Sequence, residues 1–440
     1  MRVLPGGADT LHAQAVLPDF RALCEEILLG EDHPEASVVG FSYLKNGGAA
    51  NRPVLFAFNG GPGSSSLWQH IGFLAPWRVH LTDPVDPSPL PPYGIEENPH
   101  SPLDVCDIVL IDPPGTGYAR LLDPAKGETY FNVDGDARAI ALFIKDWLIR
   151  HDRVNAPRYL AGESYGTYRM PYVVRELMGG PMTAGHTLEG FSVNGLFMLG
   201  LAFLNAPPFP AAAIHLPAYA CVNHYHNPAG KPPLCEWKEQ AYAFAGEYLH
   251  AFFYGDAARL ESEFRHYSGV PSAEVERFSK ALLADRGLDV GIYDARYTMP
   301  HAEMGDPVAD DPAMGKYTVP FVGAWETQMK QKLGIETARD YRAIDFTVNG
   351  RWQYESQFGM KPDECLKLAL RRNRDMKVLI GTGVYDLQTD IGNARYVAAH
   401  LGFSDRVLVR EYESGHMPYI GEESAAALAK DIRNLIGEKL

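Results

Sequence analysis

The feature that most constrains this chain is the stretch Gly-Glu-Ser-Tyr-Gly at residues 162–166. It lies between an apolar run at 158–161 and a helix-like segment at 165–178. A sharp turn from a strand into a helix crowds the backbone, and glycines on both sides leave it room. Such a turn would lift the hydroxyl of Ser164 clear of the sheet, where a base can reach it. The stretch therefore predicts a nucleophile elbow, and a surface Gly-Ser turn is the alternative that the motif alone leaves open.

Two later residues complete a candidate catalytic triad. A serine hydroxyl becomes a good nucleophile when a histidine accepts its proton and a carboxylate holds that histidine. Asp386 comes shortly after a predicted strand at 377–382, and His416 shortly after one at 406–412. Because open α/β sheets place their sites at the carboxyl ends of their strands, we expect these side chains to lie together. With Ser164, they predict acyl-transfer chemistry.

A glycine-rich turn, Asn-Gly-Gly-Pro-Gly at 59–63, follows directly on a predicted strand at 54–58. Backbone N–H groups can approach a substrate oxygen closely only where side chains do not block the way. The turn therefore predicts half of an oxyanion hole, while a purely structural tight turn remains the alternative. A phosphate-binding loop is disfavoured because no Gly-Lys-Ser/Thr follows.

Five blocks of sequence, in this order, resemble the serine carboxypeptidase family, and its bacterial branch most closely. They are spread over most of the chain, at residues 59–66, 112–118, 162–166, 383–386 and 415–417. The resemblance implies an α/β-hydrolase fold, in which helices flank a mostly parallel central sheet. It also implies a mainly helical cap, inserted over the active site.

The resemblance assigns roles to individual residues. It implies that Ser164 is the nucleophile, His416 the base and Asp386 the acid that orients the base. It implies oxyanion donors at the backbone N–H groups of Gly61 and Tyr165. The residues that it implies for substrate binding are Asn59, Gly60, Glu163 and Met417.

Asn59 and Glu163 are implied to hydrogen-bond the free C-terminal carboxylate of the substrate. The chain departs from the family close to them. Eukaryotic members carry a tryptophan at the position of Ala57 and a glutamate at that of Phe73, and that glutamate helps to bind the carboxylate. The acid turn also has one acidic residue fewer, with Asp390 close behind the matching position. These departures bear on exopeptidase specificity more than on serine hydrolase chemistry.

The remaining pattern predicts one hydrolase core, at residues 1–204 and 345–440, and a cap at 205–344. The cap begins at a proline-rich stretch at 206–210, after which strands and helices no longer alternate. The clearest predicted elements of the core are strands at 36–43, 54–58 and 107–112, a strand within 187–199, and a helix at 136–151. Six aromatic residues are expected inside the cap rather than in the substrate pocket: Tyr219, Tyr225, Trp237, Tyr242, Phe244 and Tyr248.

Composition narrows the classes of partner. A formal net charge of −15, without a basic run, argues against nucleic acid and anionic membranes. No stretch reaches the length of a transmembrane helix, and the first residues lack the apolar core of a signal peptide. The five cysteines are sparse; Cys106 is expected to be buried, and a pairing of Cys221 with Cys235 stays open. We expect a cytoplasmic monomer or homodimer that acts on peptides.

His224 and His226 are weak metal candidates because neither a third ligand nor a His-Glu-x-x-His pattern accompanies them. No metal and no cofactor is expected.

The observations together predict a serine-type carboxypeptidase that releases C-terminal residues through an acyl-enzyme. One alternative is an esterase or acyltransferase on the same scaffold, because a triad fixes acyl transfer and not the acceptor. Another, of a different class, is a non-catalytic binding protein that keeps the fold.

Overall fold

The computed structural model describes residues 1–7, 9–203, 210–278, 280–303 and 305–437. Its strands, in chain order, are β1 Arg2–Leu4, β2 His12–Val16, β3 Phe20–Gly30, β4 Pro34–Lys45, β5 Val54–Phe58, β6 Trp77–Val79, β7 Ile95–Glu97, β8 Asp107–Asp112, β9 Arg158–Glu163, β10 Gly195–Leu199, β11 Leu288–Val290, β12 Thr298–Pro300, β13 Lys377–Gly383 and β14 Val407–Tyr412.

The α-helices, in chain order, are α1 Leu67–Gln69, α2 Gly127–Tyr130, α3 Val133–Arg150, α4 Tyr165–Met178, α5 Ala211–His226, α6 Leu234–Phe253, α7 Glu261–Ser268, α8 Ser272–Glu276, α9 Pro312–Ala324, α10 Lys330–Lys332, α11 Phe346–Asn349, α12 Pro362–Arg372, α13 Ile391–Leu401 and α14 Glu422–Ile436. Two π-helical turns occupy His70–Leu74 and Trp325–Met329. Short 3₁₀ turns occupy Pro102–Asp104, Pro124–Lys126, Ala257–Leu260 and Ala281–Arg286.

Ten of these strands form one sheet, in the order β1-β3-β4-β8-β5-β9-β10-β13-β14, with β2 paired to β3. All neighbours from β8 to β14 are parallel. The strands from β1 to β4 are antiparallel to their neighbours and form one flank. The carboxyl ends of the parallel strands therefore meet at one edge of the sheet, where α/β folds place their sites.

Both faces of the sheet are covered, as the alternation along β5 demonstrates. Leu55 and Ala57 belong to an apolar core with residues of α9 and α14. Val54, Phe56 and Phe58 belong to a second core, with residues of α3 and α4. Because successive side chains of a strand point to opposite faces, a strand buried on both sides is apolar throughout. The predicted fold class, a mostly parallel sheet flanked by helices, is confirmed.

The prediction matches some core elements to the residue and misses others. The predicted strands at 54–58 and 107–112 and the helix at 165–178 coincide with β5, β8 and α4. The predicted strand at 36–43 is longer, as β4, and its long partner β3 was not predicted. Although β4 and β5 are consecutive in the chain, β8 lies between them in the sheet.

The predicted cap is built from two parts that pack differently. Its first residues, within 204–209, lie outside the described part of the chain. Helices α5–α8 share a small apolar cluster with Tyr385 and Leu387, which follow β13. Helix α9 instead packs on one face of the sheet, where Phe321 meets Trp68. The β11–β12 hairpin adds strands that were not expected. The cap boundaries themselves stay a prediction.

Burial of the cap aromatics follows the prediction in most cases. Tyr219, Trp237, Phe244 and Tyr248 are buried, whereas Tyr225 is 40% exposed. All five cysteines are free, so Cys221 and Cys235 do not pair, and Cys106 is buried as predicted. Over the described residues, no helix combines the length and the apolar character needed to cross a membrane.

Candidate active site

Ser164 occupies a strained turn between β9 and α4. Its backbone φ of 58° and ψ of −129° lie in a region that residues with a side chain rarely adopt. Three hydrogen bonds hold the turn in place. The Ser164 N–H donates to the Leu199 carbonyl at 2.9 Å, and the Ser164 carbonyl accepts from the Thr167 hydroxyl at 2.7 Å and from the Thr167 N–H at 2.8 Å. The geometry is that of the predicted nucleophile elbow.

The glycines around the elbow are required by close backbone contacts. A Cβ on Gly162 would lie 2.6 Å from the Gly166 carbonyl oxygen. A Cβ on Gly60 would lie only 2.4 Å from the Tyr165 backbone nitrogen. The glycine-rich turn at 59–63 is therefore packed directly against the start of α4. This contact brings together the two loops that carry the predicted oxyanion donors, Gly61 and Tyr165.

Asp386 and His416 are hydrogen-bonded to each other. His416 Nδ1 lies 2.9 Å from Asp386 Oδ2, and Asp386 Oδ1 accepts from the N–H groups of Gln388 and Thr389 at 2.8 and 3.0 Å. Burial of the imidazole opposes its protonation. The attraction of Asp386, with a smaller contribution from Glu163, outweighs burial and raises the pKa of His416 above its ordinary value.

Thr389 is a member of this arrangement that sequence reasoning missed. Its hydroxyl lies 2.5 Å from Asp386 Oδ2 and 3.0 Å from His416 Nδ1. Asp390, the other acid considered for the triad, caps helix α13 and pairs with His215 at 2.6 Å. Asp386, and not Asp390, is thus the carboxylate that contacts the histidine. Its role as catalytic acid stays a prediction.

A cavity of about 410 Å³ opens beside the elbow. The predicted site residues that line it are Asn59, Gly60, Gly61, Glu163, Ser164, His416 and Met417. Asp386 lies behind His416, and Tyr165 begins α4 next to the cavity. Most of the other lining side chains are apolar or aromatic, and several come from the predicted cap: Tyr293, Val308, Met314, Tyr317 and Ile344. The cavity thus joins the candidate triad to an apolar pocket.

Glu163 is buried next to Ser164, with an exposed fraction of 2%. Its Oε1 accepts from Asn59 Nδ2 at 2.7 Å, and Asn59 Oδ1 in turn accepts from the Gln69 N–H at 3.1 Å. Glu163 Oε2 has no hydrogen-bond partner among the described residues. Burial raises the pKa of Glu163 to about 7. The carboxyl therefore holds a proton over much of the range in which an ordinary glutamate is ionised.

Phe73, which stands where the family has a glutamate, is buried and stacks on Tyr419. The two ring centroids are 5.4 Å apart and the ring planes are 11° from parallel. The Tyr419 hydroxyl is close enough to Glu163 for each group to shift the pKa of the other. Tyr419 is a second residue that sequence reasoning missed, since no motif marks it.

The two histidines considered for a metal site have other partners. His224 Nε2 donates to the Pro232 carbonyl at 2.8 Å, and His226 Nε2 donates to the Ala295 carbonyl at 2.6 Å. No group of three or more His, Cys, Asp or Glu side chains in the described ranges could hold a metal ion.

Known proteins resemble the chain in sequence and in fold. The serine carboxypeptidase family profile matches residues 41–198. Serine carboxypeptidase-like 36 of Arabidopsis thaliana is 28% identical over 131 residues, which cover 29% of this chain. The match spans only 24% of that relative's length. The family profile therefore covers the part of the chain that carries the glycine-rich turn and the elbow.

The fold extends the similarity to the whole chain. The crystal structure of Kex1Δp, a prohormone-processing carboxypeptidase from Saccharomyces cerevisiae, superposes with a TM-score of 0.61 at 14% identity. The superposition covers 99% of this chain and 97% of the yeast structure. At this identity the superposition establishes the α/β-hydrolase fold. The family profile, the ordered motifs and this shared fold all support the resemblance of the chain to the serine carboxypeptidase family.

Proposed function

We propose that this protein is a serine-type carboxypeptidase, which releases C-terminal residues from peptides through an acyl-enzyme intermediate. The observation that carries the proposal is Glu163. A buried carboxyl with an unpartnered oxygen lies next to Ser164 and lines the same cavity. An endopeptidase or a simple esterase has no need of such a group, whereas an enzyme that reads a free C-terminus does.

Two carboxylates cannot face each other in a buried site unless one proton is shared between them. With a pKa raised to about 7, Glu163 can supply that proton and donate from Oε2 to the terminal carboxylate of the peptide. Asn59 holds the other oxygen of Glu163 at 2.7 Å. The site therefore selects substrates by the carboxylate that follows the scissile bond.

The proposed reaction assigns one step to each of these groups. Ser164 Oγ attacks the scissile carbonyl carbon while His416 accepts its proton, and Asp386 keeps the imidazole oriented. The backbone N–H groups of Gly61 and Tyr165 stabilise the oxyanion. His416 then protonates the leaving nitrogen as the C–N bond breaks. In the second half, His416 takes a proton from water, which attacks the acyl-enzyme and releases Ser164.

Product analysis tests the proposal. The pure protein is incubated with N-blocked dipeptides that bear a free or an amidated C-terminus, and with a simple ester, and the products are identified by mass. We expect cleavage of the free-carboxylate peptide and of the ester, and much slower cleavage of the amidated peptide. Cleavage of the ester alone would contradict the proposal.

That last outcome would favour an esterase or acyltransferase. The observation behind this second candidate is Phe73, which stands where the family has a glutamate. The chain therefore lacks that carboxyl on the side of the site where Tyr419 lies. Adding an alcohol or amine acceptor to the ester reaction distinguishes the two, since an acyltransferase gives the acylated acceptor as its product.

We also propose a cytoplasmic location, because all five cysteines are free and free thiols suit a reducing compartment. Cell fractionation checks it. The oligomeric state, monomer or homodimer, stays a prediction that light scattering can test.

A further inference from the structure

Two buried polar atoms next to the cavity lack partners. They are Glu163 Oε2 and the Tyr419 hydroxyl, and neither has a hydrogen-bond partner among the residues that the structure describes. A buried polar group without a partner is destabilising, so such groups are rare in folded proteins. Here the two lie beside each other at the site of the proposed substrate carboxylate. Their juxtaposition calls for a functional explanation.

The Tyr419 ring is held in one place. It stacks on Phe73 at a centroid distance of 5.4 Å. On the same turn, a Cβ at Gly72 would lie 2.6 Å from Tyr419 Cε2, so only glycine leaves room for the ring. Because the ring is fixed in this way, its hydroxyl cannot swing away from Glu163. A residue with this packing can control the orientation of its neighbour.

The charged and polar groups that face the pair define its electrostatics. Asn59 donates to Glu163 Oε1, His416 favours the ionised form of Glu163, and Asp386 opposes it. Burial and the Glu163 carboxylate raise the pKa of Tyr419 well above its ordinary value, and Tyr317 adds a smaller effect. Tyr419 therefore keeps its proton at every pH at which the protein works. It can only stabilise the charged form of Glu163, against the effect of burial.

We propose that Tyr419 is a positioning residue for Glu163, which orients Oε2 toward the cavity and sets the pH above which the site releases a substrate carboxylate. The proposal rests on the proposed carboxypeptidase function for the identity of the ligand. Neutral Glu163 binds the carboxylate, and ionised Glu163 repels it. A hydroxyl that favours the ionised form makes release occur at a lower pH than burial alone would give.

The test is the change Tyr419→Phe, which keeps the ring and its stacking on Phe73. The KM for an N-blocked dipeptide with a free C-terminus is measured against pH, with ester turnover as a check of folding. In the wild type we expect this KM to rise as the pH passes through about 7. In Tyr419→Phe the rise moves up by about one pH unit, because the ionised form of Glu163 loses its favourable interaction with the dipole of the nearby hydroxyl.

The matched control is Tyr412→Phe. Tyr412 is also buried, but its hydroxyl donates to Asp431 at 2.8 Å, on helix α14. The pH at which the peptide KM rises should stay at the wild-type value in this variant. A Tyr419→Phe enzyme in which KM increases equally at every pH, or in which the rise stays in place or moves down, would overturn the proposal, since a residue with a purely structural role behaves in that way.

A second readout needs no peptide. The infrared carbonyl band of a neutral carboxyl, assigned to Glu163 by its loss in Glu163→Gln, is followed from pH 5 to pH 9 in the wild type and in Tyr419→Phe. We expect the pH at which half of this band is lost to be about one unit higher in Tyr419→Phe than in the wild type. If the band shifts while the wild type cleaves no peptide, the positioning role holds and the proposed function fails. If the wild type cleaves peptides and the band does not shift, the positioning role fails.

Discussion

At the scale of single residues, the Asp386 carboxylate oxygen that contacts His416 also contacts the hydroxyl of Thr389. Asp386 Oδ2 lies 2.5 Å from the Thr389 hydroxyl and 2.9 Å from His416 Nδ1. The hydrogen bond from Thr389 stabilises the charged form of Asp386 and partly neutralises the oxygen that contacts His416. Thr389 therefore limits how far Asp386 raises the pKa of His416.

Replacement of Thr389 by valine should raise the pKa of His416 further. His416 must be neutral to act as the base. The decrease in kcat/KM for ester hydrolysis on the acidic side of the pH profile (the acid limb) should therefore occur at higher pH in Thr389→Val. Thr389→Ser restores the hydroxyl and should restore the profile. The comparison variant Asp386→Asn should instead lower kcat by about 10³-fold or more. A valine variant with the wild-type acid limb would show that the hydroxyl only fills space.

Glu163→Gln should have the opposite effect on the acid limb of the pH profile for ester hydrolysis. The Glu163 carboxylate is one of the charges that raise the pKa of His416, and glutamine removes it. The acid limb for ester hydrolysis should move to lower pH, and the KM for free-carboxylate peptides should become insensitive to pH because an amide donates without titrating. Two sets of initial rates, one on an ester and one on a peptide, measure both effects. A pH-dependent peptide KM in Glu163→Gln would remove Glu163 from substrate recognition.

At the scale of secondary-structure elements, an ion pair joins helix α5 to helix α13. His215 Nδ1 lies 2.6 Å from Asp390 Oδ2, and both side chains are largely buried. Burial lowers the pKa of His215, but the attraction of Asp390 outweighs it, so the net shift is upward. Asp390 also caps α13, in the turn that carries Asp386 and Thr389. The pair thus connects the predicted cap to the turn that orients His416.

A histidine whose pKa is raised on folding stabilises the protein below its unfolded pKa, about 6.5. That stabilisation is lost as the pH rises through the higher folded value. His215→Ala should therefore lower the free energy of unfolding by about 1–3 kcal/mol at pH 5.5, and by less at pH 9. Urea unfolding at the two pH values measures it. The control is His301→Ala, because His301 pairs with Asp289 while 59% exposed and should contribute little at either pH. An equal loss at both pH values for His215→Ala would contradict the assignment.

Secondary-structure elements could be predicted from the sequence where burial alone determines the pattern of apolar residues. Strands β5 and β8 are buried along their whole length; β5 is apolar throughout, and β8 is apolar between its terminal residues Asp107 and Asp112. Strand β3 could not be predicted because Glu25 and Glu26 interrupt its pattern. Both are buried, and Arg150 and Arg339, far away in the chain, neutralise them. Chain order was enough to find Ser164, Asp386 and His416.

Thr389 and Tyr419 depend on contacts that no local pattern reveals. The role of Tyr419 follows from its stacking on Phe73 and its nearness to Glu163, and both partners are distant in the sequence. Thr389 is near Asp386 in the chain, but only the fold brings it to His416. The candidate reacting groups can therefore be predicted from the sequence, whereas the residues that contact them are found only in the structure.

At the scale of the whole molecule, the substrate cavity is assembled from distant parts of the chain. Trp68 follows the glycine-rich turn, Val308 and Met314 belong to the predicted cap, and Phe346 follows it. Apolar pockets of this kind discriminate substrates by the volume that they leave free. The predicted cap should therefore determine which side chains the enzyme accepts.

Met314→Ala should change substrate preference without abolishing the chemistry. We expect kcat/KM to shift toward peptides with larger apolar side chains by about tenfold, while hydrolysis of a small ester is retained. Competition between two peptides in one reaction, quantified by mass, measures the ratio. Met182→Ala, a change of the same size at a residue that is 52% exposed, is the control. A uniform loss on all substrates would mean that Met314 has only a structural role.

The topology of the sheet has a consequence for the protein during its synthesis. The elbow follows β9, whereas Asp386 and His416 follow β13 and β14, the last two strands of the sheet in chain order. During synthesis, the segment that carries Ser164 is therefore made before the segments that carry the predicted acid and base. Under the proposed function, we expect a chain that lacks β13, β14 and the residues after them to be inert toward peptides, because it lacks both Asp386 and His416.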